Sequence, residues 1–146
     1  MKASATLSLL TLLTVVLLAG LAAADSPNDI LVIANNSVSV DSLSAAEVRA
    51  FFLKKRKHWS GGGKAIPIHA PAGSTLRKSF VRRALGMTPA EELSYWQDQQ
   101  IRRGMSGPSE FSNTLKAVFR AGGAVSYVFR SDFRQGAAKV LAVLPG

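Results

Sequence analysis

Hydrophobic and polar positions along this chain change period several times, and each change marks an element. In residues 29–34, DILVIA, the five after Asp29 are an unbroken apolar run rich in β-branched side chains. That is the pattern of a buried strand, central or parallel in its sheet, and Asn35-Asn36-Ser37 ends it. Ser44 and Glu47 then form a capping-box pattern, with Val48, Phe51 and Phe52 at i, i+3 and i+4, predicting an amphipathic helix. Residues 64–70, KAIPIHA, read as a short strand with Pro67 near an edge or a bulge. From Ser74 a second helix carries Leu76, Phe80, Val81, Ala84 and Leu85 towards the core and turns Arg82 and Arg83 outward, and Gly86 stops it. Thr88-Pro89-Ala90-Glu91 is another capping box with proline at N1, opening a helix that bears Leu93, Trp96 and Ile101 and stops at Gly104. Ser106-Gly107-Pro108 opens a fourth, with Phe111, Leu115, Val118 and Phe119 as its apolar stripe. Residues 124–129 and 138–144 are strands separated by a turn around Arg134-Gln135-Gly136. Helices mixed with strands that are apolar throughout predict an α/β domain of three layers with a mixed, mostly parallel sheet.

Composition changes this picture at the N-terminus. After Lys2 there is no charge up to Ala24, and the apolar stretch closes on Ala22-Ala23-Ala24 just before Asp25. One early lysine, an apolar run and an A-x-A exit describe a secretory signal peptide, residues 1–24, cleaved to leave one domain over 25–146. An uncleaved anchor is the other reading of the same stretch, which is long enough to span a bilayer. Cleavage places the protein in the periplasm or outside the cell. Without Lys2 the mature chain carries 17 basic against 9 acidic residues, a net +8. Such a charge favours phosphate-bearing or acidic partners. There is no cysteine, which excludes a disulfide scaffold, thiol chemistry and a lipid-anchored lipoprotein.

Candidate chemistry gathers between Pro71 and Phe80, PAGSTLRKSF. Gly73 and Ser74 stand where a helix N-terminus begins, so free N–H groups and the positive end of the helix dipole meet there. Arg77 and Lys78 follow at once, a locally unfavourable placement that a bound anion would reverse. The bland alternative makes Ser74 an N-cap and Arg77 a solvated side chain. The basic run Lys54–Lys57, KKRK, is either a patch for an anionic surface or a solvated helix end. Gly61 to Gly63 lack the spacing of a nucleotide-binding loop. His58 and His69, the two histidines, sit in no metal-binding or Ser/His/Asp pattern, so neither an enzyme nor a cofactor is expected.

Several segments occur in a familiar order: a first strand ending in Asn35, then LSAAEVRAFFLKKRKHWSGGGKAIPI, GSTLRKSF, Tyr95-Trp96, GMSGP at 104–108, AVSYVF and the closing KVLAVLP. Over about residues 29 to 144 the chain resembles the phosphate-binding, type 2 periplasmic binding proteins of ABC transporters, and more closely their short, single-domain relatives. The resemblance implies one lobe, or a reduced two-lobed form, of that fold. It implies phosphate or a similar small oxyanion as ligand and a membrane transporter or another envelope protein as partner. The family's larger members use an arginine, an aspartate and Ser-Gly-Thr at the turn before this helix. Gly73 and Ser74 match, but Ala70 and Ala72 stand at the arginine and aspartate positions, and Ser74 is followed by Thr75 and Leu76. The implied anion site is therefore Gly73, Ser74 and Thr75, with Arg77 supplying the cation and Asn36 and Ser37, after the first strand, facing the same crevice. The alternative is a basic interaction protein that sets its positive surface, Lys54–Lys57 with Arg102 and Arg103, against an envelope or protein partner without a small ligand. Nucleic acid is set aside for an exported chain with no recognised binding motif.

Overall fold

The computed structural model describes residues 24–146, so the signal-peptide reading falls almost wholly outside the described residues. Among the described residues no helix is long and apolar enough to cross a membrane. The unbroken apolar run becomes strand β1 (Ile30–Ala34), buried at every position. Ser44 and Glu47 close a reciprocal capping box on α1 (Ala45–Phe52), which buries Val48, Phe51 and Phe52. Strand β2 (Ile66–His69) leads through a tight turn to α2 (Thr75–Phe80), which runs on as a π-helical turn, Val81–Leu85. Gly86, at φ 64°, ends it in the left-handed conformation that glycine adopts without steric cost. Helix α3 (Pro89–Arg103) follows, then β3 (Ser109–Glu110), α4 (Thr114–Arg120), β4 (Ala124–Phe129) and β5 (Lys139–Leu144).

The five strands form one sheet in the order β3-β2-β4-β1-β5. Strands β2, β3, β4 and β5 share a direction, and β1 runs against them between β4 and β5. The sheet is thus mixed, as the pattern predicts, with two parallel and two antiparallel pairings. Strand β1 is central but not parallel to its neighbours. An apolar run reports burial of both faces, whereas direction is set by the connections, which the run does not encode. Pro67 sits where β3 has not yet begun to pair, because β3 meets only Ile68 and His69. Its missing N–H therefore costs no ladder bond on that side.

Alternate residues of the central strands serve the two faces of the sheet. Ile30, Val32, Val125 and Tyr127 pack with Phe51, Phe52 and Phe80 from α1 and α2. Leu31, Ile33 and Val128 pack with Val118 and Leu115 from α4. Helices on both faces make the three layers. Phe80 and Tyr127 stack face to face, centroids 3.7 Å apart, and fix α2 over the sheet.

Two helices differ from their sequence patterns. The fourth begins only at Thr114, capped by Asn113, whose side chain accepts from Lys116 N. Pro108 is buried, Gly107 lies against the Trp96 ring, and residues 109–110 extend alongside β2. Phe111 is left outside the helix and Phe119 is 58% exposed, so the stripe shortens to Leu115 and Val118. In α3, Leu93 and Ile101 are 60% and 85% exposed, and the one fully buried side chain is Glu92.

Candidate functional site

The turn between β2 and α2 is closed by Ser74. Its N–H donates to Pro71 O at 2.9 Å, its Oγ donates to the same oxygen at 2.7 Å, and Oγ accepts from Arg77 N at 3.2 Å. Ser74 is thus a complete N-cap whose hydrogen-bonding groups are engaged within the turn. The N–H groups of Thr75 and Leu76 meet no acceptor among the described residues, as expected one and two positions into a helix. A cavity of about 470 Å³ lies against the same turn, lined by Gly73, Arg77, Lys78, Glu92, Trp96 and Glu110.

Arg77 borders that cavity but turns its guanidinium into the protein and is only 7% exposed. Nε and Nη2 donate to Glu92 Oε1 at 3.1 and 2.7 Å. Nη1 donates to Ala70 O at 2.8 Å and to Glu110 Oε1 at 3.1 Å. Two carboxylates and a carbonyl therefore take up nearly the whole donor fork. The expectation that Arg77 offers a free cation to a ligand gives way to an internal ion-pair network. Residues fifteen and thirty-three positions downstream provide the counter-charges, which a local motif cannot announce.

The network continues into the core. Tyr127 Oη accepts from Ala70 N at 3.1 Å and lies 2.8 Å from His69 Nδ1. With its oxygen already accepting, the tyrosine donates to Nδ1, which assigns the neutral imidazole's proton to Nε2. Nε2 faces Glu92 Oε2 at 3.4 Å, too long for a well-formed bond, and neither atom has another partner among the described residues. Burial, above all, holds the His69 pKa below its ordinary value, with the Arg77 charge adding to it against the opposing pull of Glu92 and Glu110. Burial pushes the Glu92 carboxyl up, but His69 and Arg77 outweigh it and hold it below the usual range. Tyr127 is raised, chiefly by burial. His69 is thus a core residue, as its place at a strand end suggests. The signal missed in the sequence is Glu92 itself: with Tyr95, Trp96 and Gln99 it completes an i, i+3, i+4, i+7 face on α3.

Gly73, Ser74, Thr75 and Arg77 come together at this turn. Asn36 and Ser37 do not join them. Strand β1 runs against β2, so its end lies with the start of β4, where Asn35 N donates to Ala124 O at 2.9 Å. There Asn36 Nδ2 donates to Gly136 O at 3.1 Å, and Ser37 N to Asn35 Oδ1 at 2.9 Å. Ser37 borders a different cavity, with Trp59 and the glycines 61–63. The crevice the sequence assembles from both loops is divided between opposite ends of the sheet.

No family model matches the chain, and no curated protein matches it. Solved structures do. An ABC-type phosphate transport receptor from Vibrio cholerae superposes with a TM-score of 0.59 at 14% identity, over 80% of this chain and 47% of that one. A structure described as that of a phosphate ABC transporter substrate-binding protein with bound phosphate, from Clostridium perfringens, superposes with a TM-score of 0.59 at 20% identity, over 80% of this chain and 46% of that one. This chain therefore has the fold of these phosphate-receptor structures, and it spans about half the length of either.

Proposed function

We propose that the mature domain is an exported solute-binding module that holds phosphate or a similar small oxyanion at the turn between β2 and α2. The observation that carries this reading is the pair of N–H groups at Thr75 and Leu76, without acceptors among the described residues, in the same turn as Gly73 and the exposed Lys78, which line a cavity. The likeness to a structure containing phosphate supports it, as does the position of the turn at the carboxyl end of a parallel strand, where open α/β sheets bind ligands. Delivery of the anion to an ABC-type transporter belongs to the same proposal, since the similar proteins are named for that task.

The residue roles change from those implied by the sequence. Ser74 is the cap, Arg77 is a neutralised post, and ligand contacts fall to Thr75 N, Leu76 N and Lys78. Neutral hydrogen bonds contribute about 0.5–1.5 kcal/mol each, and an exposed ion pair about 0.2–1 kcal/mol. Such a site binds weakly, with a Kd around the millimolar range.

Phosphate titrated at constant ionic strength should raise the melting temperature saturably, and chloride should not. Thr75→Pro deletes one N–H at the N1 position, where proline suits the helix and the extended Ser74 tolerates it. It should abolish the shift with the fold intact, as should Lys78→Ala. A phosphate response that is unsaturable, or indifferent to both changes, removes the reading. A second reading, a basic interaction domain without a small ligand, is favoured by the cluster of lysines at the end of α1 that no carboxylate neutralises.

A further inference from the structure

Where α1 ends, the chain turns through Lys54–Lys57 against the loop 104–108 and the start of β2. Two cavities adjoin there. One, of about 400 Å³, is walled by Lys54, Lys57 and Lys64 over an apolar floor of Ile66, Met105 and Pro108. The other, of about 820 Å³, adds Lys55 and Arg103. Lys54, Lys57 and Met105 line both, so the two adjoin along one basic groove face. No aspartate or glutamate lines either part. Arg56 also reaches the groove, but Glu47 holds it at 2.9 Å. The other five cations pair with no carboxylate among the described residues.

Lys54 sits at the joint of this groove, just past the end of α1. At φ 55° it is the left-handed residue that closes α1, where its N–H donates to Phe51 O at 3.1 Å and Lys55 N to Ala50 O at 2.9 Å. Its ammonium donates to Ser106 O at 2.9 Å and Gly107 O at 3.4 Å. Those carbonyls fix the cation without neutralising it. Burial, then the charges of Lys57 and Lys64, press its pKa below the ordinary lysine value. The end of α1 and the carbonyls of residues 106 and 107 thus hold a cation where its neighbours repel it.

We infer that the groove binds a linear chain of phosphate groups, of the inorganic polyphosphate type, laid along Lys64, Lys57, Lys54, Lys55 and Arg103. A lone phosphate meets one or two of these cations, whereas a chain with successive charges meets all five and releases the counterions of each. A nucleic acid finds no stacking platform: Tyr95, the aromatic residue of the groove, packs edge-on to Trp96 with centroids 4.9 Å apart and donates its hydroxyl to Leu53 O at 3.0 Å. This site shares no residue with the turn at Gly73 and does not depend on it.

The test is a titration of the exported protein with medium-chain inorganic polyphosphate over a series of salt concentrations. The logarithm of affinity should fall with the logarithm of salt at a slope of about −3 to −4, near −0.7 for each phosphate neutralised. Lys57→Gln with Lys64→Gln should flatten the slope by about 1.4 and weaken binding by about tenfold or more. Lys54→Gly, which suits the local φ, should flatten it by about 0.7 without lowering the melting temperature. Arg82→Gln and Lys116→Gln, outside the groove and outside the turn at Gly73, should leave the slope unchanged. Equal losses at these two control positions would overturn the proposal in favour of diffuse attraction. Orthophosphate competing as well as the polymer at equal total phosphate would overturn it too, as would single-stranded DNA of matched charge binding as tightly. Thr75→Pro should alter the response to orthophosphate alone, so the two anion readings fail separately.

Discussion

Arg77 and Lys54 both hold their charged ends against backbone carbonyls, but only Arg77 also meets carboxylates. Around Arg77, Glu92 and Glu110 close in and the local charge balances. Around Lys54 the nearest ionised groups are more lysines, and the charge accumulates. The first region is a buried network that the core has absorbed, and the second is an open surface that no internal partner has neutralised. The difference teaches that a cation placed by local sequence in an anion-binding motif is not thereby available. Availability depends on what the rest of the chain brings to it. An arginine at a helix start that finds two glutamates becomes a structural post, whereas lysines left beside a half-exposed loop remain chemistry that can act on a partner.

The comparison predicts opposite costs for removing the two charges. The largest effect belongs to Arg77→Ala, which leaves the Glu92 carboxylate buried and uncompensated and should destabilise the domain by about 3–5 kcal/mol in chemical denaturation. Replacing the pair together, Arg77→Met with Glu92→Leu, should recover most of that loss. If Arg77→Ala proved as mild as a surface change, the network would not be a post and the contrast between the regions would collapse.

Acid should loosen the first region next. His69 is held neutral, below its ordinary 6.5, so the unfolded chain binds its proton first as pH falls. Stability is therefore full above about pH 6.5 and declines below it, by at most about 1.4 kcal/mol per pH unit for one group. Glu92, held below its ordinary 4.5, adds stability that is present above that pH and lost as the folded carboxylate protonates. His69→Gln should remove the first part of the decline and leave the second. A stability profile flat from pH 7 to 5 in the wild-type protein would contradict the assigned neutral imidazole.

Smaller effects sharpen the contrast. Ser74→Ala removes the cap of α2 and should cost about 1 kcal/mol. Lys57→Gln touches only the open groove and should change stability by less than about 0.5 kcal/mol. A clear stabilisation by Lys57→Gln would itself measure the repulsion that the groove carries.

Local physics made much of the fold legible. The capping box at Ser44, the Gly86 and Gly104 stops, and the strands at 30–34, 124–129 and 139–144 follow from side-chain chemistry a few residues wide. Reading failed where a segment's fate depended on a distant partner. The stripe from Phe111 to Phe119 has helical spacing, yet Pro108 is buried and residues 109–110 are drawn into the sheet beside β2, which delays the helix to Asn113. Leu93 and Ile101 look like core residues, yet α3 presents Glu92 inward because Arg77 waits there. The N-cap at Ser74 is legible as a local feature, but the electrostatics of its turn are not, since both glutamates arrive from later elements.

The sequence by itself determined which stretches are strands and helices, the cap at Ser74, and the excess of positive charge. These depend on φ/ψ preference, periodicity and composition, which act within one or two turns of chain. Only the tertiary structure decided that β1 runs against its neighbours, that Asn36 and Ser37 lie at the far end of the sheet from Ser74, and which cations stay unpaired. Strand direction and charge neutralisation are properties of pairs of segments distant in sequence. The energy of an ion pair depends on the distance and burial that folding alone creates.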